Sequence, residues 1–310
     1  MSMGNIIQVQ DFSVHDGDGI RTVIFFSGCP LRCRWCANPE SWTMEPKLAF
    51  FAGKCVGCGL CASVCPRGLL RGLPRDGGRE QRGAGACGGQ DPGCTACGLC
   101  AERCPQGALR VLGAAMTAEE IVKKVERDSI FFGPSGGGVT FSGGEATVQE
   151  EFLRELTEAF CDRGISMWLE TCGFFPFENV RDILLRLDHI FFDLKHMDTQ
   201  VHRRMTGQGN ELILENCRRV YETGIPVTLR IPAVPEVNLT AENLRAAASF
   251  ILEYTPGAEL ELLPYHAYGE EKYEALRIGG DHFFSVPSGR SMEQAEEFFR
   301  GQGIRVVRYR

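Results

Sequence analysis

Fifteen cysteines stand in this chain of 310 residues, and eleven of them fall into three tight groups. Cys29, Cys33 and Cys36 are spaced C-x3-C-x2-C. Cys55, Cys58, Cys61 and Cys65 form a C-x2-C-x2-C-x3-C run closed by Pro66, and Cys94, Cys97, Cys100 and Cys104 form a second one closed by Pro105. Gaps of two or three residues suit metal chelation and are poor geometry for a disulfide framework. The two longer runs match the bacterial two-cluster ferredoxin pattern, in which the fourth cysteine of each run ligates the other cluster. That rule places Cys55, Cys58, Cys61 and Cys104 around one [4Fe–4S] centre and Cys94, Cys97, Cys100 and Cys65 around the other. Four thiolates leave no open position, so such a cluster gains or loses an electron without changing ligands. Crossed ligation also ties together a core too small to fold firmly without metal. A pair of zinc sites is the competing reading, and two complete runs with their prolines favour iron–sulfur. Gly57, Gly59 and Gly98 permit tight wrapping of the chain around a cluster.

The first group has no fourth cysteine close behind it. A cubane held by three thiolates leaves one iron free to bind a small ligand, the counterpart of a catalytic metal site with an open coordination position. Taken alone, the triplet is also compatible with a zinc site completed by His15 or a distant thiol. Cys87, Cys161, Cys172 and Cys217 read as ordinary thiols, although Cys172 follows a strand that should end near the site.

Residues 20–27, IRTVIFFS, read as a strand that delivers the chain to the first cysteine group. Between Glu45 and about Gly113 the sequence becomes short, cysteine-rich and punctuated by glycine and proline. Within it, 71–93 lacks periodicity and reads as a surface loop or poorly ordered excursion that contains Cys87. From Thr117 onward, helical periodicity at 118–128, 148–163, 178–187, 210–223 and 240–254 alternates with buried-strand character at 138–142, 166–170, 189–194, 226–231 and 259–264. Thr117 and Glu120 are spaced as a capping box. A helix near 291–300 and a final extended segment, GIRVVRY, complete the pattern. Apolar strands interleaved with helices predict an α/β fold with a mainly parallel sheet, and this pattern alone does not choose an open sheet over a curved, partly closed barrel.

Apolar residues make up 44% and charged residues 24%, which fits a globular chain, and the net charge of −7 does not advertise nucleic-acid binding. No stretch approaches 18 consecutive apolar residues and no basic-then-apolar leader is present, so the expectation is a cytoplasmic protein without membrane or nucleic-acid partners.

The segment Asp16 to Glu40, DGDGIRTVIFFSGCPLRCRWCANPE, resembles the activating enzymes of glycyl radical enzymes, within the radical S-adenosylmethionine superfamily. Later motifs follow in the family's order across nearly the whole chain. Ser142-Gly143-Gly144-Glu145 resembles the methionine-binding GGE motif, and Glu170-Thr171-Cys172-Gly173 an acidic-Thr-x-Gly element. Asp193-Leu194-Lys195 resembles a D-x-K element, and Tyr265-His266 with Gly269 and Lys272-Tyr273 the closing motif. The resemblance implies a partial (β/α)6 barrel formed by 1–45 and 113–310, with a ferredoxin-like α+β module inserted at 46–112. It implies three [4Fe–4S] clusters, with the amino and carboxylate groups of S-adenosylmethionine bound at the open iron of the Cys29–Cys33–Cys36 cluster. Electron transfer from that cluster would cleave the sulfonium to methionine and a 5′-deoxyadenosyl radical, which would take the α-hydrogen of a glycine in a partner glycyl radical enzyme.

Further roles are implied residue by residue. Trp35 matches an aromatic packed by the cluster or adenine. Gly143 and Gly144 would expose backbone to the methionine moiety, and Glu145 would contact its amino group or cap a helix. Asn38, Arg230 and His266 match positions near the cofactor, Arg230 facing its carboxylate and His266 its ribose. Asp193 and Lys195 would contact cofactor or the partner's glycine loop, and Glu170 with Thr171 matches a monovalent-cation site. A flavodoxin or ferredoxin would supply electrons through the inserted clusters, and the open cluster implies oxygen sensitivity and anaerobic physiology. Two positions depart from the family: Ala146 stands where most relatives have proline after GGE, and Asp18 replaces the proline of D-G-P-G-I-R, changes that bear on loop stiffness. The other readings are a radical enzyme acting directly on a small molecule or peptide, a ferredoxin-like electron carrier, and a zinc-stabilised structural domain.

Overall fold

A computed structural model describes residues 2–70, 93–280 and 282–309. The expected excursion at 71–93 and Cys87 therefore lie almost wholly outside the described residues. Six parallel strands form the frame: β2 (Arg21–Phe26), β6 (Gly138–Gly143), β7 (Ser166–Thr171), β8 (His189–Asp193), β9 (Val227–Ala233) and β10 (Glu259–Pro264). Strand β1 (Met3–Ser13) pairs antiparallel with β2, and β5 (Ala114–Thr117) pairs antiparallel with β1, giving an eight-stranded sheet of order β10-β9-β8-β7-β6-β2-β1-β5. The six parallel strands are neighbours in chain order, as successive βα crossovers of one hand require. This is the partial barrel that the sequence motifs implied.

Helices α3 (Ala118–Ser135), α4 (Glu150–Cys161), α5 (Phe177–Leu184), α6 (Thr199–Thr206), α7 (Glu211–Glu222), α8 (Ala241–Tyr254), α9 (Glu270–Leu276) and α10 (Gly289–Gly301) follow the strands. The capping box at α3 is present: Thr117 Oγ1 accepts from the Glu120 amide at 3.2 Å, and Glu120 Oε2 accepts from the Thr117 amide at 2.8 Å. Such a box contributes about 1 kcal/mol. One apolar core runs through Phe26, Phe141, Phe160, Leu169, Phe192 and Leu229, all fully buried. Segment 304–309 extends the β10 edge, with the Leu260 amide donating to the Arg305 carbonyl and the Val307 amide to the Leu260 carbonyl, each at 2.9 Å. No helix among the described residues is long and apolar enough to cross a membrane.

The cysteine-rich region carries a two-stranded antiparallel sheet, β3 (Lys47–Phe50) with β4 (Leu109–Leu112), and two short helices, α1 (Leu60–Val64) and α2 (Leu99–Glu102). Leu48, Phe50, Leu70 and Leu109 form its own small core with Cys61 and Cys100. Ala49 and Phe51 instead pack on Ala275 and Leu276 of α9 and its end, which seats the module on the barrel.

Aromatic rings of β7, β8 and the final segment pack together at Trp168, His189, Phe191 and Tyr309. His189 stacks on Trp168, with ring centroids 4.2 Å apart, and its Nε2 lies 2.9 Å from Thr228 Oγ1. Burial, then the charges of Arg230 and Arg21, push its pKa down from 6.5 to about 4. The folded state therefore favours the neutral ring, and the unfolded chain binds more protons between those values. The resulting stability, on the order of 3 kcal/mol, is fully present above about pH 6.5 and is lost as pH falls toward 4. Thermal denaturation near neutrality and at about pH 5 should show the loss, and a His189→Gln variant should flatten the pH dependence.

Candidate active site

The C-terminal ends of the parallel strands converge on one cavity of about 250 Å³. Its wall includes Cys29, Cys33, Cys36, Asn38, Gly143, Gly144, Glu170, Thr171, Asp193, Lys195 and His266. Eight of the residues singled out from sequence thus meet with the triplet in a single space, on the face where βα-barrel sites form.

The cysteine loop follows β2 directly and is tied down at both ends. The Gly28 amide donates to the Ser41 carbonyl at 2.7 Å, and the Arg32 and Arg34 amides donate to Thr206 and Met205 carbonyls on α6. Lys272 of α9 donates to Asn38 Oδ1 at 2.8 Å and to Glu40 at 2.6 Å. Burial pushes the Cys36 thiol up to about 11 and Cys33 higher, while the Lys195 ammonium pulls both back. Lys195 stays charged despite burial because Asp193 holds it in an ion pair at 2.6 Å, with Cys33 adding to the effect. Among the described residues the buried Tyr273 hydroxyl and Glu40 Oε2 have no hydrogen-bond partner, and both lie near enough to Cys36 to couple to its charge. Three convergent thiols, an adjacent ammonium and unpartnered polar groups fit a multi-iron cluster held as thiolates.

Gly143 and Gly144 are needed for close approach. Gly143 has φ +109°, and a Cβ there would lie 2.3 Å from the Phe26 amide nitrogen; at Gly144 it would lie 2.2 Å from the Gly28 carbonyl. The Gly144 and Glu145 amides are used inside the protein, on the Phe26 and Gly28 carbonyls. Glu145 is fully buried and accepts from the Thr147 and Thr171 hydroxyls at 2.8 and 2.9 Å and from the Cys172 amide at 2.7 Å. Glu145 also caps the turn at Ala146–Gln149, its Oε1 accepting from the Thr147 amide at 3.4 Å. Cys172, which sequence reading flagged only by its position, is buried and lies near enough to Cys29 for the two thiols to couple.

Arg230 is the residue whose placement departs most from expectation. It is buried behind the cavity wall, its guanidinium 3.3 Å from the Phe191 ring centroid, paired with Glu170 on one arm and Glu261 on the other. Glu170 also accepts from Ser142, and burial raises its pKa against the pull of Arg230. Sequence reasoning missed Glu261; the available signal was a pair of alternating acids, Glu259 and Glu261, in the otherwise apolar strand ELELLP.

The inserted module gathers its cysteines in the crossed sets. Cys55, Cys58, Cys61 and Cys104 line one small cavity, and Cys65, Cys94, Cys97 and Cys100 another. Gly59 and Gly98, each left-handed, turn the chain into α1 and α2. Cys65 and Cys104 follow the same design: burial raises each thiol, but surrounding amides, led by Leu69 and Leu109, hold it below the ordinary value. Among the described residues no three or more His, Cys, Asp or Glu close to the spacing of a single metal ion. The thiols stand around cavities, an arrangement that suits clusters better than zinc.

Comparison with known proteins agrees. Residues 93–248 match the radical SAM superfamily, 54–108 a 4Fe-4S dicluster domain and 15–62 a 4Fe-4S single cluster domain. The isethionate sulfite-lyase activating enzyme of Nitratidesulfovibrio vulgaris is 37% identical over 88% of this chain and 87% of its own. The (2S)-3-sulfopropanediol dehydratase activating enzyme of Klebsiella oxytoca is 36% identical over 98% of this chain and 96% of its own. The chain belongs to the glycyl radical enzyme activating enzymes. Streptococcus suis SuiB, solved with its precursor peptide SuiA, superposes with a TM-score of 0.52 at 13% identity, covering 92% of this chain and 47% of SuiB, and shares the fold. For an activating enzyme of this family, the matched segments account for iron–sulfur clusters and S-adenosylmethionine as cofactors.

Proposed function

We propose that this activating enzyme cleaves S-adenosylmethionine reductively and installs a radical on a glycine of a partner glycyl radical enzyme. The observation that carries the reading is the convergence of Cys29, Cys33 and Cys36 with Asn38, Glu170, Asp193, Lys195 and His266 on one cavity. A cluster held there would supply the one electron needed to split the sulfonium into methionine and a 5′-deoxyadenosyl radical, which would take the glycine α-hydrogen. The protein's task is placement. Cys29, Cys33 and Cys36 hold the cluster, with Lys195 balancing thiolate charge. Asn38 and His266 line the cavity where the nucleoside would lie, and the Asp193–Lys195 pair sits at the strand end facing cofactor or the glycine loop. A monovalent cation beside Glu170 and Thr171 belongs to the proposal, supported by two carboxylates sharing the single guanidinium of Arg230.

The count of three [4Fe–4S] clusters rests on one open and two closed cysteine sets. A flavodoxin or ferredoxin is the proposed reductant, with the inserted clusters as relay, supported by the seating of the module on α9, whose Lys272 reaches the cysteine loop. Replacing Cys58 and Cys97 together should sharply slow turnover with a protein reductant; unchanged turnover would exclude an obligatory relay. Relatives at 33–37% identity are named for isethionate, sulfopropanediol, choline and hydroxyproline enzymes, and these define the panel of partners to test. Anaerobic incubation of reconstituted protein with S-adenosylmethionine and a strong reductant should yield 5′-deoxyadenosine and methionine. No cleavage at full iron loading would contradict the reading.

A further inference from the structure

Glu261 sits in β10, 4% exposed, among apolar neighbours. A carboxylate so placed is costly unless both oxygens find strong donors. Both do. Oε2 accepts from Arg230 Nε at 2.8 Å, and Oε1 accepts from the backbone amide of Tyr309 at 2.8 Å. The sheet register sets Glu261 directly beside Arg230, and Arg230 beside Asp193. The other arm of Arg230 holds Glu170 Oε1, while Glu170 Oε2 accepts from Ser142. Ser142 and Glu170 line the cavity; Arg230 and Glu261 stand behind it. Phe191, under the guanidinium, fixes its plane, and the Tyr309 ring packs edge-on against Phe191 at 4.9 Å. A continuous chain of donors and acceptors therefore runs from segment 304–309 to the cavity wall.

We infer that Glu261, anchored by the Tyr309 amide, is a positioning residue that holds Arg230 and through it Glu170, and so sets the geometry and charge of the wall receiving S-adenosylmethionine. The inference rests on the proposed function of that cavity. Glu261 brings a carboxylate charge to a guanidinium that it shares with Glu170 on the wall. A glutamine at 261 removes that charge, and its amide nitrogen must face a donor from Arg230 or Tyr309.

Equilibrium binding of S-adenosylmethionine to the cluster-loaded protein tests this, read from the change in the paramagnetic resonance spectrum of the reduced cluster. Glu261→Gln should weaken binding about tenfold with unchanged iron content. Tyr309→Pro removes the amide hydrogen and should weaken binding in the same direction, while Tyr309→Ala keeps that hydrogen and should retain most of the affinity. The tyrosine variants keep the test alive if Glu261→Gln misfolds. Wild-type affinity in a fully loaded Glu261→Gln protein would overturn the inference, and equal losses in the two tyrosine variants would overturn the anchoring by the amide. A wild-type protein that binds no S-adenosylmethionine would overturn the proposed function together with it.

Discussion

Replacing Cys33 with alanine should abolish both S-adenosylmethionine cleavage and partner radical formation while sparing the inserted clusters. Cys33 is 8% exposed, and burial drives its thiol well above the ordinary range, so as a thiolate it needs metal and the nearby Lys195 ammonium. Two remaining thiols give an incomplete cradle for a cubane. The eight cysteines of the insert line their own separate cavities and do not depend on Cys33. Iron analysis of the anaerobically reconstituted variant should therefore fall by about four atoms per chain and no further. A variant that kept its full iron content, or that lost nearly all of it, would contradict the division into one open and two closed sites.

Replacing Arg230 with methionine should cause a large loss of stability. Arg230 is 5% exposed and is shared by Glu170 and Glu261, whose carboxylates would both lose their cation. Removing one member of a buried ionic array costs about 3–5 kcal/mol because the remaining charges are uncompensated. The melting temperature of the cluster-loaded protein should drop accordingly. A double variant, Arg230→Met with Glu261→Met, should recover part of that loss, since apolar side chains of similar volume replace a buried ion pair with little penalty. Additive losses would show that the array is not a coupled unit.

The frame of the molecule was legible because its parallel strands are buried on both faces and read as apolar runs; each of the six anticipated strands is present within a few residues. What escaped has physical causes. Strand β1 is half-exposed and alternates weakly, and Phe12 near its end is left-handed, so neither period nor turn chemistry marked it. Helix α6, TQVHRRMT, is short and polar and is held by the Asp198 cap and by cysteine-loop amides docking on its end. The α3 helix runs on to Ser135, past the 128 expected and through Pro134, because its final turn closes on Gly136.

In the site, the motifs sit at the C-terminal ends of strands, beside one cavity. Motifs say less about who pairs with whom. The guanidinium of Arg230 is held by two carboxylates, Glu170 of the cavity wall and Glu261, and the oxygens of Glu145 are taken by Thr147, Thr171 and Cys172. Those choices depend on the register of β9 against β10 and on the depth of the strand ends, which one-dimensional spacing does not carry.

The central claim is tested most directly by anaerobic paramagnetic resonance of the reconstituted protein mixed with S-adenosylmethionine, a reductant and a panel of glycyl radical enzymes. The account predicts a glycyl doublet in one partner, absent when Cys33→Ala replaces the wild type. Cleavage of S-adenosylmethionine with no protein radical across a panel that spans the partners of the known relatives would contradict it.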